Sequence, residues 1–310
     1  MAGSRPLRVG SHLEKVLAAG TFAVTAEVTP DASASPNRTR AQARALRGHV
    51  DAVNVTDSPR AMVKISSLAA SAILLQEGVE PVMQMVTRDR NRIALQADIL
   101  GAHALGVRNI VAMSGDDPRL GNEPDAVPVY EWTTEQFLAA AKQLRDHGKL
   151  AGGEVIDDPP NLFLGATVNP FGAPAEETVV NLRGKVDAGA DFVQTQAVFD
   201  IEAFEEWMRL VRKEWLHEKT HIVAGVIPLR SAKMAKFLDD KVPGIDIPSA
   251  VFERLGAANE VKTEGLHLAV ETVDRLRGVE GVRGVHIMAV EWDDAVPKIV
   301  SAAGLHPRPS

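Results

Sequence analysis

The chain of 310 residues contains no cysteine. That excludes disulfides, thiolate metal sites and cysteine nucleophiles, and makes the reducing cytoplasm the expected compartment. Aromatic residues are scarce, with one Tyr, four Trp and nine Phe, and nothing resembles the interleaved aromatic and basic surface of a nucleic-acid binder. No apolar run approaches the ~18 residues that would span a bilayer, and the opening stretch "MAGSRPLRVGSHLEKVL" lacks the continuous apolar segment of a signal peptide. A net charge of −7 sets the overall field against nucleic acid and anionic membrane. The most basic stretch, "RDRNR" at 88–92, holds its own Asp89 and opens an apparent helix. It reads as helix surface, with an anion contact as the alternative.

Several chemical signatures are also missing. There is no G-x-G-x-x-G or G-x-x-x-x-G-K-[ST] phosphate loop and no G-x-S-x-G nucleophile turn. The nine His are scattered, without zinc-ligand spacing. The pairs Asp116-Asp117 and Asp293-Asp294 lack nameable third and fourth oxygen ligands, so no metal is expected.

What the chain does have is alternation. Short β-branched runs at 21–30, 51–57, 81–87, 109–115, 163–170, 192–199, 221–228 and 284–290 are followed by helical patterns at 37–47, 62–77, 90–105, 133–147, 175–188, 201–214, 231–239 and 292–303. A further helix is predicted at about 257–277. Eight strand–helix units with tight returns predict an α/β fold, a (β/α)₈ TIM barrel with an extra helix before the last strand. An open doubly wound sheet is the competing arrangement. The reading is one barrel domain over 1–310, with an N-terminal helical extension at 1–19 and a C-terminal tail at 304–310.

In such a barrel the chemistry belongs at the C-terminal ends of the strands. Glu27 stands out there, flanked by Ala26 and Val28 in a strand built for burial. A lone buried carboxylate is costly unless paired or protonated, which makes Glu27 a candidate general acid with a raised pKa. Gln194 and Gln196 share one strand face and can present paired amides to a ligand; a ligand-free core hydrogen-bond network is the alternative. The loop after Gly115, from Asp116 to about Trp132, is long enough to be a lid, and Tyr130 and Trp132 favour an ordered one. The connection 148–162 should lie on the opposite face.

The ordered segments "AEVTP", "VNVTDSP", "VTRDRNRIALQADILGAHALGVRNIVAMSGDDP", "KVDAGADFVQTQAVFD", "AGVIPL", "IPSAVFERL" and "GLHPRP" resemble the methylenetetrahydrofolate reductase family from about residue 20 to 308. The resemblance implies a (β/α)₈ barrel that passes hydride, through FAD, to 5,10-methylenetetrahydrofolate and forms 5-methyltetrahydrofolate in one-carbon metabolism and methionine biosynthesis. It places Glu27 at the acid position, Asp116 against the pterin and flavin, and Gln196, with Gln194, against substrate. It places Thr56, Gln84, Ser114, Gly115, Asp116, Thr167, Asn169, Asn181 and Lys185 at cofactor positions. Some positions depart from the family: Ser114 stands for an Arg, Gln84 for a His, Ala232 for a stacking aromatic and Trp292 for an Arg that meets the folate tail. The implied partners are a folate substrate and an electron donor, which is NAD(P)H, a donor subunit or a ferredoxin. The alternatives are a flavin-independent reductase, a folate-dependent methyltransferase or demethylase, and a subunit of a redox complex using the same pterin pocket.

Overall fold

A computed structural model describes residues 7–242 and 244–309. Eight parallel strands close on themselves in sequence order: β1 (Ala23–Val28), β2 (Ala52–Val55), β3 (Pro81–Val86), β4 (Asn109–Met113), β5 (Phe163–Val168), β6 (Phe192–Ala197), β7 (His221–Val226) and β8 (Val282–Ile287). Around them run α1 (His12–Ala18), α2 (Asn37–Leu46), α3 (Ser67–Gln76), α4 (Arg92–Ala104), α5 (Thr134–His147), α6 (Ala175–Ala188), α7 (Ile201–Lys213), α8 (Ala232–Lys241), α9 (Ser249–Ala257), α10 (Val261–Gly278) and α11 (Ala295–Ala302). This is the (β/α)₈ barrel expected from the alternation.

The period of two along each strand divides the core into two compartments. Outward residues such as Val24, Ala26, Ile110, Leu164, Ile222 and Val285 pack against the helices in one large apolar cluster. Inward residues near the strand starts, among them Ala23, Val82, Val111, Phe163, Phe192 and Val223, form a second cluster with Leu13, Val16 and Leu17 of α1. Helix α1 therefore plugs the N-terminal end of the barrel. Its N-terminus is fixed by Glu80, whose carboxylate accepts from the backbone N–H groups of His12 and Leu13 at 2.7 and 2.9 Å. At the same end Arg308 donates to the buried Asp51 at 2.6 Å, and Asp51 also accepts from the N–H of Val24.

Three local expectations need correction. The helix placed at 62–77 begins only at Ser67, where the Ser66 hydroxyl caps it; residues 59–61 form a short 3₁₀ turn instead. The extra helix expected at about 257–277 is α10, which starts at Val261, and it is preceded by a helix that was not expected, α9, with extended backbone at Ala258 and Glu260 between the two. The close approach of Gly265 to Leu229, where a Cβ would sit 1.8 Å from the carbonyl oxygen, sets α10 against the loop after β7. "RDRNR" is not helix surface: Arg88 is 2 % exposed, Arg90 pairs with Asp57 and Asp98, and α4 starts after an Asn91 cap.

The loop after β4 is ordered. A 3₁₀ turn spans Pro118–Leu120, Trp132 is buried, and Val129 and Tyr130 donate their N–H groups to the carbonyls of Arg88 and Thr87. The 148–162 connection carries a small antiparallel bridge between Lys149 and Val155 and delivers the chain to the start of β5, at the plugged end.

Candidate active site

Above the apolar plug the inward positions turn polar. Thr25, Asn54, Gln194 and His286 form a buried floor: Asn54 donates to Gln194 Oε1 at 2.7 Å, Gln194 Nε2 donates to Asn54 Oδ1 at 3.0 Å and to Thr25 Oγ1 at 3.2 Å, and the Thr25 hydroxyl meets His286 Nδ1 at 2.9 Å. A satisfied network of this kind rigidifies whatever stands on it. The amide of Gln194 is thus spent inside the floor, the alternative left open by the sequence.

Two residues along β1, Glu27 stands on this floor and enters a cavity of about 720 Å³ at the C-terminal face. It is not a lone buried carboxylate. Gln84 Nε2 donates to its Oε2 at 3.1 Å, His286 Nε2 lies 3.8 Å from the same oxygen, and its side chain is 21 % exposed. Gln196 lines the cavity too, with Oε1 accepting from the N–H of Ala197 at 3.0 Å.

One wall is made by the loops after β2, β3 and β4. Gly115 has φ +88°, and a Cβ there would come 3.0 Å from that of Val86, so the turn that delivers Asp116 requires glycine. Asp116 Oδ2 accepts from the N–H of Arg60 at 2.7 Å. Its neighbour Asp117 turns away to cap the 3₁₀ turn and bind Arg119, and the hydrogen bonds from that side chain lower its pKa to about 2. The buried guanidinium of Arg88 joins the three loops, donating to the carbonyls of Asp116 and Ser58 at 3.1 and 3.2 Å and to the Asp89 carboxylate. Ser114 lies alongside. The segment pinned in this way holds Ser58, Arg60 and Ala61 at φ between 47° and 54°. Positive φ in non-glycine residues costs about 1–3 kcal/mol each and persists where the surroundings enforce it, commonly at binding sites.

The opposite wall comes from β5 and α6. Lys185 Nζ donates to the Thr167 carbonyl at 2.7 Å and to Asn181 Oδ1 at 2.6 Å, and burial lowers its pKa. Asn169 accepts from the N–H of Phe171. Thr56, between the walls, is buried with a hydroxyl that has no hydrogen-bond partner among the described residues, a group that a bound ligand would satisfy. Every site residue named from the sequence therefore lines this one cavity.

A family model described as methylenetetrahydrofolate reductase matches residues 12–304. The chain belongs to the methylenetetrahydrofolate reductase family. It is 26% identical over 236 residues to the 5,10-methylenetetrahydrofolate reductase of Salmonella typhimurium, covering 74% of this chain and 72% of that one. It is 24% identical to a probable methylenetetrahydrofolate reductase (NADPH) of Caenorhabditis elegans, covering 78% of this chain but 35% of the relative. The chain thus spans about a third of that longer protein. Among solved structures it resembles a Clostridium thermocellum protein that binds two copies of 5-methyl-5,6,7,8-tetrahydrofolic acid, with a TM-score of 0.66 at 12% identity, covering 94% of this chain and 98% of that one. That likeness is one of fold.

Sequence reasoning missed Thr25, Asn54, His286 and Arg88. The first three share the inward phase of Glu27, Thr56 and Gln194, so counting by two along each strand would have found them. For Arg88 no local signal exists.

FAD, implied by the family resemblance, matches this cavity poorly. Among the described residues no Phe, Tyr or Trp lines it; Asp57 is neutralised by Arg90, and Glu27, Asp116 and Glu177 face Lys185 and an Arg88 that is itself paired with Asp89. Arg88 and Lys185 already donate to protein acceptors. A resident dinucleotide needs lasting anchorage for a pyrophosphate dianion, and this lining offers an excess of negative charge instead.

Proposed function

We propose that this chain reduces 5,10-methylenetetrahydrofolate to 5-methyltetrahydrofolate, with Glu27 as the general acid. The observation that carries the reading is the position of Glu27, projecting from a rigid polar floor into the same cavity as Gln196 and Asp116 in a barrel of this family.

The bridging carbon of the substrate joins N5 and N10. A proton given to N10 by the Glu27 carboxylic acid breaks the N10–carbon bond and leaves an N5 iminium. Hydride added to the iminium carbon completes the methyl group, so one proton and one hydride are consumed. Gln84, donating to Glu27, fixes the carboxyl against the floor. Asp116 holds the backbone of Arg60 with one oxygen, and its second oxygen, unbonded among the described residues, is available to the donor edge of the pterin. Gln196 offers its amide from the other side. Thr56 supplies a further unpartnered hydroxyl.

The poor match to FAD favours a flavin-independent route in which a reduced nicotinamide dinucleotide gives hydride directly. A co-substrate that enters and leaves in each cycle can keep its phosphates in solvent beyond the mouth. Relatives are named for NADPH in Caenorhabditis elegans and for NADH in maize. The test is oxidation of NADH or NADPH by the purified protein on addition of methylenetetrahydrofolate, alongside its visible spectrum. Turnover without flavin bands supports the reading. A bound flavin overturns the donor assignment, as does absence of turnover with either nucleotide; failure also to oxidise methyltetrahydrofolate with an artificial acceptor overturns the reductase itself.

A further inference from the structure

A folate carries a p-aminobenzoyl group and a glutamyl tail whose carboxylates are ionised at neutral pH. With the pterin beside Glu27, this tail must leave through the mouth of a cavity whose own lining is net acidic. A cation at the mouth would favour it, and two of the basic side chains nearby are already paired, Arg230 with Glu291 and Lys236 with Asp240.

Arg60 is not committed. Its backbone is locked into the left-handed region at φ 54° and ψ 29°, its N–H is held by Asp116, and the next residue is wedged against the lid, where a Cβ on Gly121 would meet the Ala61 carbonyl oxygen at 2.0 Å. The start of the side chain is therefore fixed at the rim. Its guanidinium carbon lies 5.9 Å from the ring centroid of Phe237 in α8, a side chain that is 46 % exposed, and it makes no ion pair among the described residues. A guanidinium that rests on a ring keeps its coplanar N–H edge open, and that edge suits two-point contact with a carboxylate. Arg60 thus reaches from the loop after β2 to the helix after β7, beside the Asp116 wall of the cavity.

We propose that Arg60, seated on Phe237, is the receptor for a carboxylate of the folate glutamyl tail. The assignment rests on the reductase reading above and concerns substrate recognition alone. Arg60 acts in binding, and Phe237 positions it by holding the guanidinium across the mouth.

The test is calorimetric titration of the full chain with 5-methyltetrahydrofolate and with 5,6-dimethyltetrahydropterin, which has the ring and no tail. Wild type should bind the folate more tightly than the pterin. Arg60→Met should weaken the folate about tenfold, the scale of a charge-assisted hydrogen bond, and leave the pterin unchanged. Arg60→Lys should fall between, since it keeps charge without the planar edge. Phe237→Leu should weaken the folate by a smaller factor. Wild-type folate affinity should drop with added salt, and the Met variant should show a flatter dependence. A thermal melt checks that the variants fold.

Equal binding of folate and pterin by wild type overturns the tail receptor, as does equal loss of both ligands in Arg60→Met, which would mean a disturbed Asp116. Unchanged folate binding in that variant overturns it too. If wild type binds neither ligand, the reductase reading fails along with it.

Discussion

Gln84 on β3 donates from Nε2 to Oε2 of Glu27 on β1 at 3.1 Å, across the intervening β2. The bond orients a carboxyl that would otherwise swing freely in the cavity. On the proposed reading, Glu27→Gln removes the transferable proton and keeps the shape. Turnover should fall by about 10²–10⁴-fold, the usual contribution of a general acid, while calorimetry should show methyltetrahydrofolate binding largely retained. Turnover within a few-fold of wild type would dismiss Glu27 as the acid.

Arg88 should be a stability hinge for the site. Arg88→Met keeps the length of the side chain but strands the carbonyls of Ser58 and Asp116, and should cost about 2–4 kcal/mol for the lost buried hydrogen bonds. Urea denaturation gives the global loss. Amide exchange gives its location, with faster exchange expected at Arg60, Val129 and Tyr130. Unaltered exchange there would show that the loops do not depend on this guanidinium.

The other end of the barrel offers an independent measurement. Asp51 is fully buried and Arg308 nearly so, and removing one partner of such a pair leaves an uncompensated charge. Arg308→Met should therefore destabilise by about 3–5 kcal/mol. The double change with Asp51→Asn should recover part of that loss in the same denaturation assay. A double variant no more stable than the single one would assign the cost to packing.

Lys185 carries a pH signature. Burial lowers its pKa from 10.5, so the unfolded chain binds this proton more tightly than the folded one. The resulting destabilisation is carried in full below the lowered pKa and is lifted as pH rises towards 10.5. Urea midpoints measured from neutral to alkaline pH should rise in wild type relative to Lys185→Met. Parallel curves would mean the ammonium is not penalised by burial.

Much of this molecule could be read along the chain. Strand–helix alternation gave the barrel because each unit carries its own period. Glu27, Gln84 and Gln196 were visible because a polar residue interrupts an apolar strand. His286 interrupts an apolar strand in the same way, but its role depends on Thr25 and Glu27, more than 250 residues earlier in sequence. Arg88 was misread because a run of charges is normally solvated. Its burial depends on carbonyls contributed by two other loops.

The shared guanidinium of Arg88 also bears on how this protein can change. Barrels of this type diversify by exchanging the loops above their strands one at a time. Here the loops after β2, β3 and β4 are cross-linked through one side chain and a wedge of Gly121 on Ala61, so a graft or insertion in any one of them would have to accommodate the other two. For inheritance and for engineering, the three behave as a single module.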